Sequence, residues 1–206
     1  QILMYRALGL EPPQFGHLPL ILAQNGQKLS KRHAAVSTLE YREMGYLPDA
    51  VLNYLARLGW SHGDQEIFSR EELIKHFNWS SCGTSGAKYD EKKFAFVQAE
   101  HLRALPDSEL ARRVAPLIPE ELNVAADDPK LLAALPLIKP RATTLRDIVD
   151  GVDYFFRESL VYEEKGRRKF LKPENAPRLR GLSQIVAAAE EFSKEALHEA
   201  TNAWLE

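Results

Sequence analysis

The sequence predicts a mainly α fold that opens with one short α/β piece and continues as an array of helices. Helix-start signals recur along the chain: Ser69 with Glu72, Asp90, Asp128 before Pro129, and Thr144 with Asp147. Each places a side-chain oxygen where it can accept from the unpaired amides of a first helical turn. Strand-type patterning, by contrast, occurs at residues 18–22 alone, just before Asn25-Gly26, a strong tight-turn signal. Eight of the twelve prolines fall from Pro106 to Pro177, where they cut the second half into short helices.

Residues 1–8 have helical spacing, and Gly9 is a usual helix stop. Pro12-Pro13 enforces an extended turn. Residues 18–22 then read as a short buried strand. Pro48 suits a first helical turn, after which Val51, Leu52, Leu55 and Leu58 fall on one face, and Gly59 ends the run. The capped helices that follow end near Phe77 and near Leu105. A last pair is expected over residues 182–192 and 193–205. The density of prolines after Leu105 places a domain boundary there, giving domains 1–105 and 106–206.

Composition narrows the function classes. Hydrophobic residues make up 45% and charged residues 27%, an ordinary globular balance. No apolar run approaches the roughly 18 residues of a membrane span, and no signal-peptide pattern opens the chain. One cysteine, Cys82, excludes an internal disulfide and suits a reducing compartment. It has no partner at zinc-ligand spacing, and the six histidines show none either, so no metal site is expected. Trp60, Trp79 and Trp204 read as packing residues. A net charge of −2 means that any nucleic-acid binding must come from local patches.

Lys28-Leu29-Ser30-Lys31-Arg32 is the most informative stretch. It sets three cations and a hydroxyl directly after the strand and turn, where ammonium groups and backbone amides can gather around a polyphosphate. A solvated basic loop is the plain alternative. No G-x-x-x-x-G-K-[ST] string occurs, which excludes a P-loop. A second basic run, Lys165, Arg167, Arg168, Lys169 and Lys172, stands beside Glu163 and Glu164 and suits either phosphate contact or a solvated loop.

K-L-S-K-R resembles the KMSKS signature of class I aminoacyl-tRNA synthetases. The residues around it are similar to glutamyl-tRNA synthetases of the bacterial type: His17-Leu18-Pro19-Leu20-Ile21-Leu22, Tyr41-Arg42, Gly45-Tyr46-Leu47-Pro48, and the run from Leu58-Gly59-Trp60-Ser61-His62-Gly63-Asp64 through Phe68. The likeness is dense over residues 1–105 and thinner beyond, where Arg141-Ala142-Thr143-Thr144-Leu145 and Tyr154-Phe155-Phe156 carry it. Two positions depart from the family pattern: Ala34 stands where glycine is usual, and Gln98 where asparagine is usual.

The resemblance implies the end of a Rossmann-like class I catalytic domain, then stem-contact helices, then a truncated α-helical anticodon-binding region. It implies ATP with Mg2+ as a substrate, glutamate and the glutamate tRNA as partners, no membrane, and a monomeric cytoplasmic enzyme. Lys31, assisted by Lys28, would meet the charge that builds on the phosphates, and Leu29, Ser30 and Arg32 would complete the ATP loop. Tyr41, Arg42, Arg57, Arg141, Arg167 and Arg168 are the tRNA-contact candidates. The HIGH signature and a glycine-rich substrate loop are absent, so the chain is expected to be a C-terminal fragment that is inactive alone. Two other readings stay open. One is a stand-alone helical RNA-binding or adaptor module. The other is a glutaminyl-tRNA synthetase fragment, which would require β-barrels after the stem-contact region.

Overall fold

The computed structural model describes residues 1–29, 37–157, 159 and 162–205, so Ser30, Lys31, Arg32 and Ala34 lie outside the described residues. The chain forms two compact units, Gln1–Arg157 and Glu158–Glu206.

The first unit opens with α1 (Ile2–Ala7), closed by Gly9 at φ +69°. β1 (Ile21–Leu22) pairs in parallel with β2 (Ala87–Lys88), Ile21 opposite Ala87 and Leu22 opposite Lys88. The strand expected over residues 18–22 is therefore two residues long, and it is not buried: Leu18 is 66% and Leu20 59% exposed. Pro19 has no N–H to give a ladder, and the partner strand offers only two residues.

Four helices belong to the same part of the chain: α2 (Thr38–Glu43), α3 (Pro48–Arg57), α4 (Arg70–His76) and α5 (Glu91–Ala104). Their starts follow the caps. Ser69 accepts from the Glu72 amide while the Glu72 carboxylate accepts from the Ser69 amide, and Asp90 accepts from Lys92 and Lys93. The packed side of α3 coincides only in part with the expected face, of which Val51 and Leu58 pack against the tyrosine cluster. Ala50, Asn53 and Tyr54 are the buried residues, while Leu52 and Leu55 stay 41% and 39% exposed along an apolar groove of about 490 Å³. Helical spacing identified an apolar stripe, but tyrosine stacking decides the core side: the Tyr54 and Phe94 rings lie parallel at 4.2 Å.

α6 (Asp107–Val114), α7 (Pro129–Ile138) and α8 (Leu145–Phe156) complete the unit. Asp128 caps α7 through Lys130 and Leu131, and Thr144 and Asp147 cap α8 reciprocally. Pro136 lies inside α7 rather than ending it, on an exposed face. Among the described residues from 106 onwards there is no strand.

The main core does not stop near Leu105. Leu47 and Ala50 from the α3 region share it with Leu102, Leu110, Leu131, Leu135 and Ile148. Lys139 adds a polar tie, donating to the Leu105 carbonyl and pairing with Asp107 at 2.8 Å. A second tie joins the corner after α2 to α8: the Leu145 amide donates to the Gly45 carbonyl at 2.9 Å. Gly45 has φ +81°, and a β-carbon there would stand 2.9 Å from the Arg146 nitrogen, so two features favour glycine.

The second unit holds α9 (Glu164–Phe170), α10 (Ala176–Ala188) and α11 (Lys194–Leu205). α10 starts six residues before the expected position 182, because Pro177 fits its first turn. Gly181 lets α10 approach the Trp204 indole of α11, where a β-carbon would meet that ring at 2.6 Å. None of the three helices buries a residue fully.

Candidate functional site

The basic stretch begins on a tight hairpin. The Asn25 side chain accepts from the Gln27 amide at 3.0 Å, and Gly26, at φ +80°, donates to the Ala23 carbonyl at 2.9 Å. The Ala23 amide donates to Gln27 at 2.8 Å and the Leu29 amide to Ile21 at 3.0 Å, which lays Lys28 antiparallel beside Leu22. Leu22 thus sits between Lys28 on one side and Lys88 on the other. Paired residues share a face of a sheet, so the two exposed lysines rise from the same face. Lys88 carried no signal in the sequence, because its place depends on pairing with Leu22, far back along the chain. Leu29 turns the other way and packs against a cluster of Tyr41, Tyr54, Tyr89, Phe94 and Val97. Ser37 reopens the described chain by capping α2 through Leu39, with Glu40 completing the capping box.

Of the tRNA-contact candidates, the structure places two away from a contact role. Tyr41 is 7% exposed and its hydroxyl is bonded to that of Tyr89 at 3.0 Å, so it is a packing residue. Burial, helped by this bond, raises the Tyr89 phenol well above its ordinary value. Tyr54 is likewise pushed up to about 12 by burial. Its hydroxyl donates to the Asp90 carbonyl at 3.0 Å and accepts from the Asp90 amide at 2.7 Å, bracing the start of α5. Arg57 is also engaged inward: its guanidinium grips Glu66 with two bonds, 2.9 and 3.2 Å, and donates to the Trp60 carbonyl at 3.1 Å. Both partners are distant in sequence or hidden in a loop, which is why the sequence suggested a surface role.

Arg42 and Arg141 are exposed on the first unit, Arg42 in the last turn of α2 and Arg141 in the turn before α8. Arg167 and Arg168 are exposed on α9, where Arg168 pairs with Glu164 one turn back. The basic run at residues 165–172 is thus mostly helix, not loop.

The remaining polar residues are structural. Gln98 is fully buried; its carbonyl accepts from the Leu47 amide at 2.9 Å, and its amide nitrogen has no partner among the described residues. Asn53 is also fully buried, accepting from the Phe68 amide and donating to the Glu66 carbonyl, both at 2.9 Å. The same oxygen lies 2.9 Å from the His101 ring. Trp60 is buried as expected, whereas Trp79 is 64% exposed. The His62 and His76 rings lie 4.4 Å apart with their planes inclined at 31°, and no group of three metal-ligating side chains occurs among the described residues.

Two groups here set a pH dependence. The hydrogen bond from Arg57 holds the Glu66 carboxyl below its ordinary value of 4.5, with Lys93 assisting against burial. Burial holds His101 below its ordinary 6.5, against a weaker opposing pull from Asp49. Both groups bind protons more readily unfolded than folded, so stability falls as pH drops. Urea midpoints are expected to decline from about pH 6.5 downwards through His101, then more steeply below about 4.5 through Glu66. His101→Gln should flatten the upper limb and Glu66→Gln the lower. Unchanged limbs in both variants would refute the assignment.

Residues 1–96 match the class I tRNA synthetase (E and Q) catalytic domain, and residues 109–206 match an anticodon binding domain. Glutamate–tRNA ligase 1 of Alkalilimnicola ehrlichii is 41% identical over 199 residues, covering 97% of this chain. Over nearly its whole length the chain is similar to part of a glutamyl-tRNA synthetase. The glutamate–tRNA ligase of Anaeromyxobacter sp. is 44% identical over 197 residues, which is 96% of this chain. The chain spans 42% of the length of each of these two synthetases. A crystal structure of a glutamate tRNA ligase from Elizabethkingia meningosepticum, in complex with its amino acid, superposes with a TM-score of 0.74 at 31% identity. It covers 98% of this chain, which matches 44% of that synthetase. The two family matches divide the sequence after residue 96, while the compact units of the fold divide it after Arg157. No helix among the described residues is long and apolar enough to cross a membrane.

Proposed function

We propose that this chain is part of a glutamate–tRNA ligase, to which it contributes the basic ATP stretch, stem-contact helices and part of an anticodon-binding region. The observation that carries this reading is the pair of family matches, in this order, on one chain that is about 40% identical to glutamate–tRNA ligases over nearly its whole length. In the reaction, the glutamate carboxylate attacks the α-phosphate of ATP, the α–β phosphate bond breaks, and pyrophosphate leaves. The terminal ribose hydroxyl of the tRNA then takes the glutamyl group and AMP leaves.

Magnesium accompanies ATP as part of the substrate. Lys28 stands exposed at the start of the basic stretch, where an ammonium can meet the phosphates, and Lys31 is the principal cation in this reading. Arg42, Arg141, Arg167 and Arg168 are the surface groups proposed to meet tRNA phosphates. The parent enzyme is proposed to be monomeric and cytoplasmic, in keeping with the single free cysteine.

The test is glutamate-dependent ATP–pyrophosphate exchange in the presence of tRNA, and charging of glutamate tRNA, by the full-length parent protein. Activity with glutamate and not glutamine is expected. Exchange with glutamine instead would favour the glutaminyl reading, and no exchange with either would leave a tRNA-binding module.

A further inference from the structure

The corner that follows α2 is held from far along the chain. Its Gly45 carbonyl accepts from the Leu145 amide at 2.9 Å, and the Glu43 carbonyl, at the C-terminal end of α2, accepts from Arg146 Nε at 3.2 Å. Arg146 lies 103 residues beyond Glu43 and is itself exposed. The C-terminal carbonyls of a helix carry partial negative charge and lack intrahelical partners, so a guanidinium there both satisfies and orients the end. The fit is close, because a β-carbon on Gly45 would press the Arg146 nitrogen at 2.9 Å and the Leu145 nitrogen at 3.2 Å.

From this corner a continuous set of contacts reaches the basic stretch. The Tyr46 amide donates to the Tyr41 carbonyl at 2.8 Å, and the Tyr41 ring lies 5.4 Å from Tyr46 and 5.0 Å from Phe94. Leu29, adjacent to Lys28, packs on that same cluster.

We propose that the contact of Glu43 and Gly45 with the start of α8 positions Lys28 and Leu29, with Arg146 as the positioning residue. It links the helical region after residue 109 to the ATP stretch. The expected consequence for catalysis rests on the proposed ligase function, but the structural link does not.

Two measurements test it. In the full-length enzyme, Arg146→Ala is expected to raise the KM for ATP in pyrophosphate exchange about three- to tenfold, the range of residue-level couplings between distant sites. The dissociation constant for tRNA, its salt dependence and the melting temperature should stay at wild-type values. Arg146→Lys, which can still donate to the Glu43 carbonyl, should restore much of the loss. Gly45→Ala should act in the same direction as Arg146→Ala.

The second measurement needs no activity. Amide hydrogen exchange on this chain should show the Leu29 amide, bonded to Ile21, exchanging several-fold faster in Arg146→Ala. A wild-type protein without pyrophosphate exchange would defeat the ligase reading and leave the link to be decided at Leu29. Unchanged exchange at Leu29 overturns the link. So does weakened tRNA binding with a shallower salt slope, which would make Arg146 a phosphate contact.

Discussion

Lys31→Ala in the full-length enzyme is expected to slow glutamate- and tRNA-dependent ATP–pyrophosphate exchange by about 10²-fold or more, with a smaller effect on tRNA affinity. The reasoning is electrostatic. Charge on the phosphate chain rises as the α–β bond breaks, so a cation held there is worth more in the transition state than in the bound ground state. Removing one such interaction typically costs about 3–4 kcal/mol. Lys28→Ala is expected to cost less, since its backbone is committed to the hairpin beside Leu22, at the edge of the stretch proposed to meet the phosphates. Pyrophosphate exchange at the wild-type rate in Lys31→Ala would remove that residue from the role.

Much of the local structure was legible because its causes are local. Ser69 with Glu72, Asp90, Asp128 and Thr144 with Asp147 each cap the helix they announce, and Asn25-Gly26 makes the turn that delivers Lys28. What was misread depends on partners far away. The strand at residues 18–22 shrank because the strand it pairs with in the sheet, Ala87–Lys88, is two residues long. Tyr41 and Arg57 resembled surface contacts until Tyr89 and Glu66 were placed against them. Lys88 and Arg146 could not be singled out at all, since only pairing and docking bring them to Leu22 and Glu43. The assignment of residues 28–32 to ATP rests on the family resemblance, through a run of residue identities that periodicity alone does not distinguish from any basic loop.

The proline-dense sequence after Leu105 suggested a domain boundary there, and the shared core supplies a test of it. Ile148 is fully buried in α8, in one cluster with Leu47, Leu102 and Leu110. Ile148→Ala is expected to lower stability by about 2–5 kcal/mol, through lost transfer energy and the cavity left behind. That is a large share of the roughly 5–15 kcal/mol that holds an ordinary domain together. Leu47 and Ala50 belong to the same cluster, so the loss should be felt on both sides of Leu105. Trp60 reports on the early side: it is 2% exposed, packed between Phe68 and Phe77 with ring centres at 5.2 and 5.7 Å. In a background carrying Trp79→Phe and Trp204→Phe, its fluorescence isolates that side. The urea midpoint from Trp60 emission should fall together with the midpoint from far-UV circular dichroism. A Trp60 midpoint that stays in place while the helical signal shifts would show that residues 1–105 fold on their own, with the core across Leu105 contributing little to their stability.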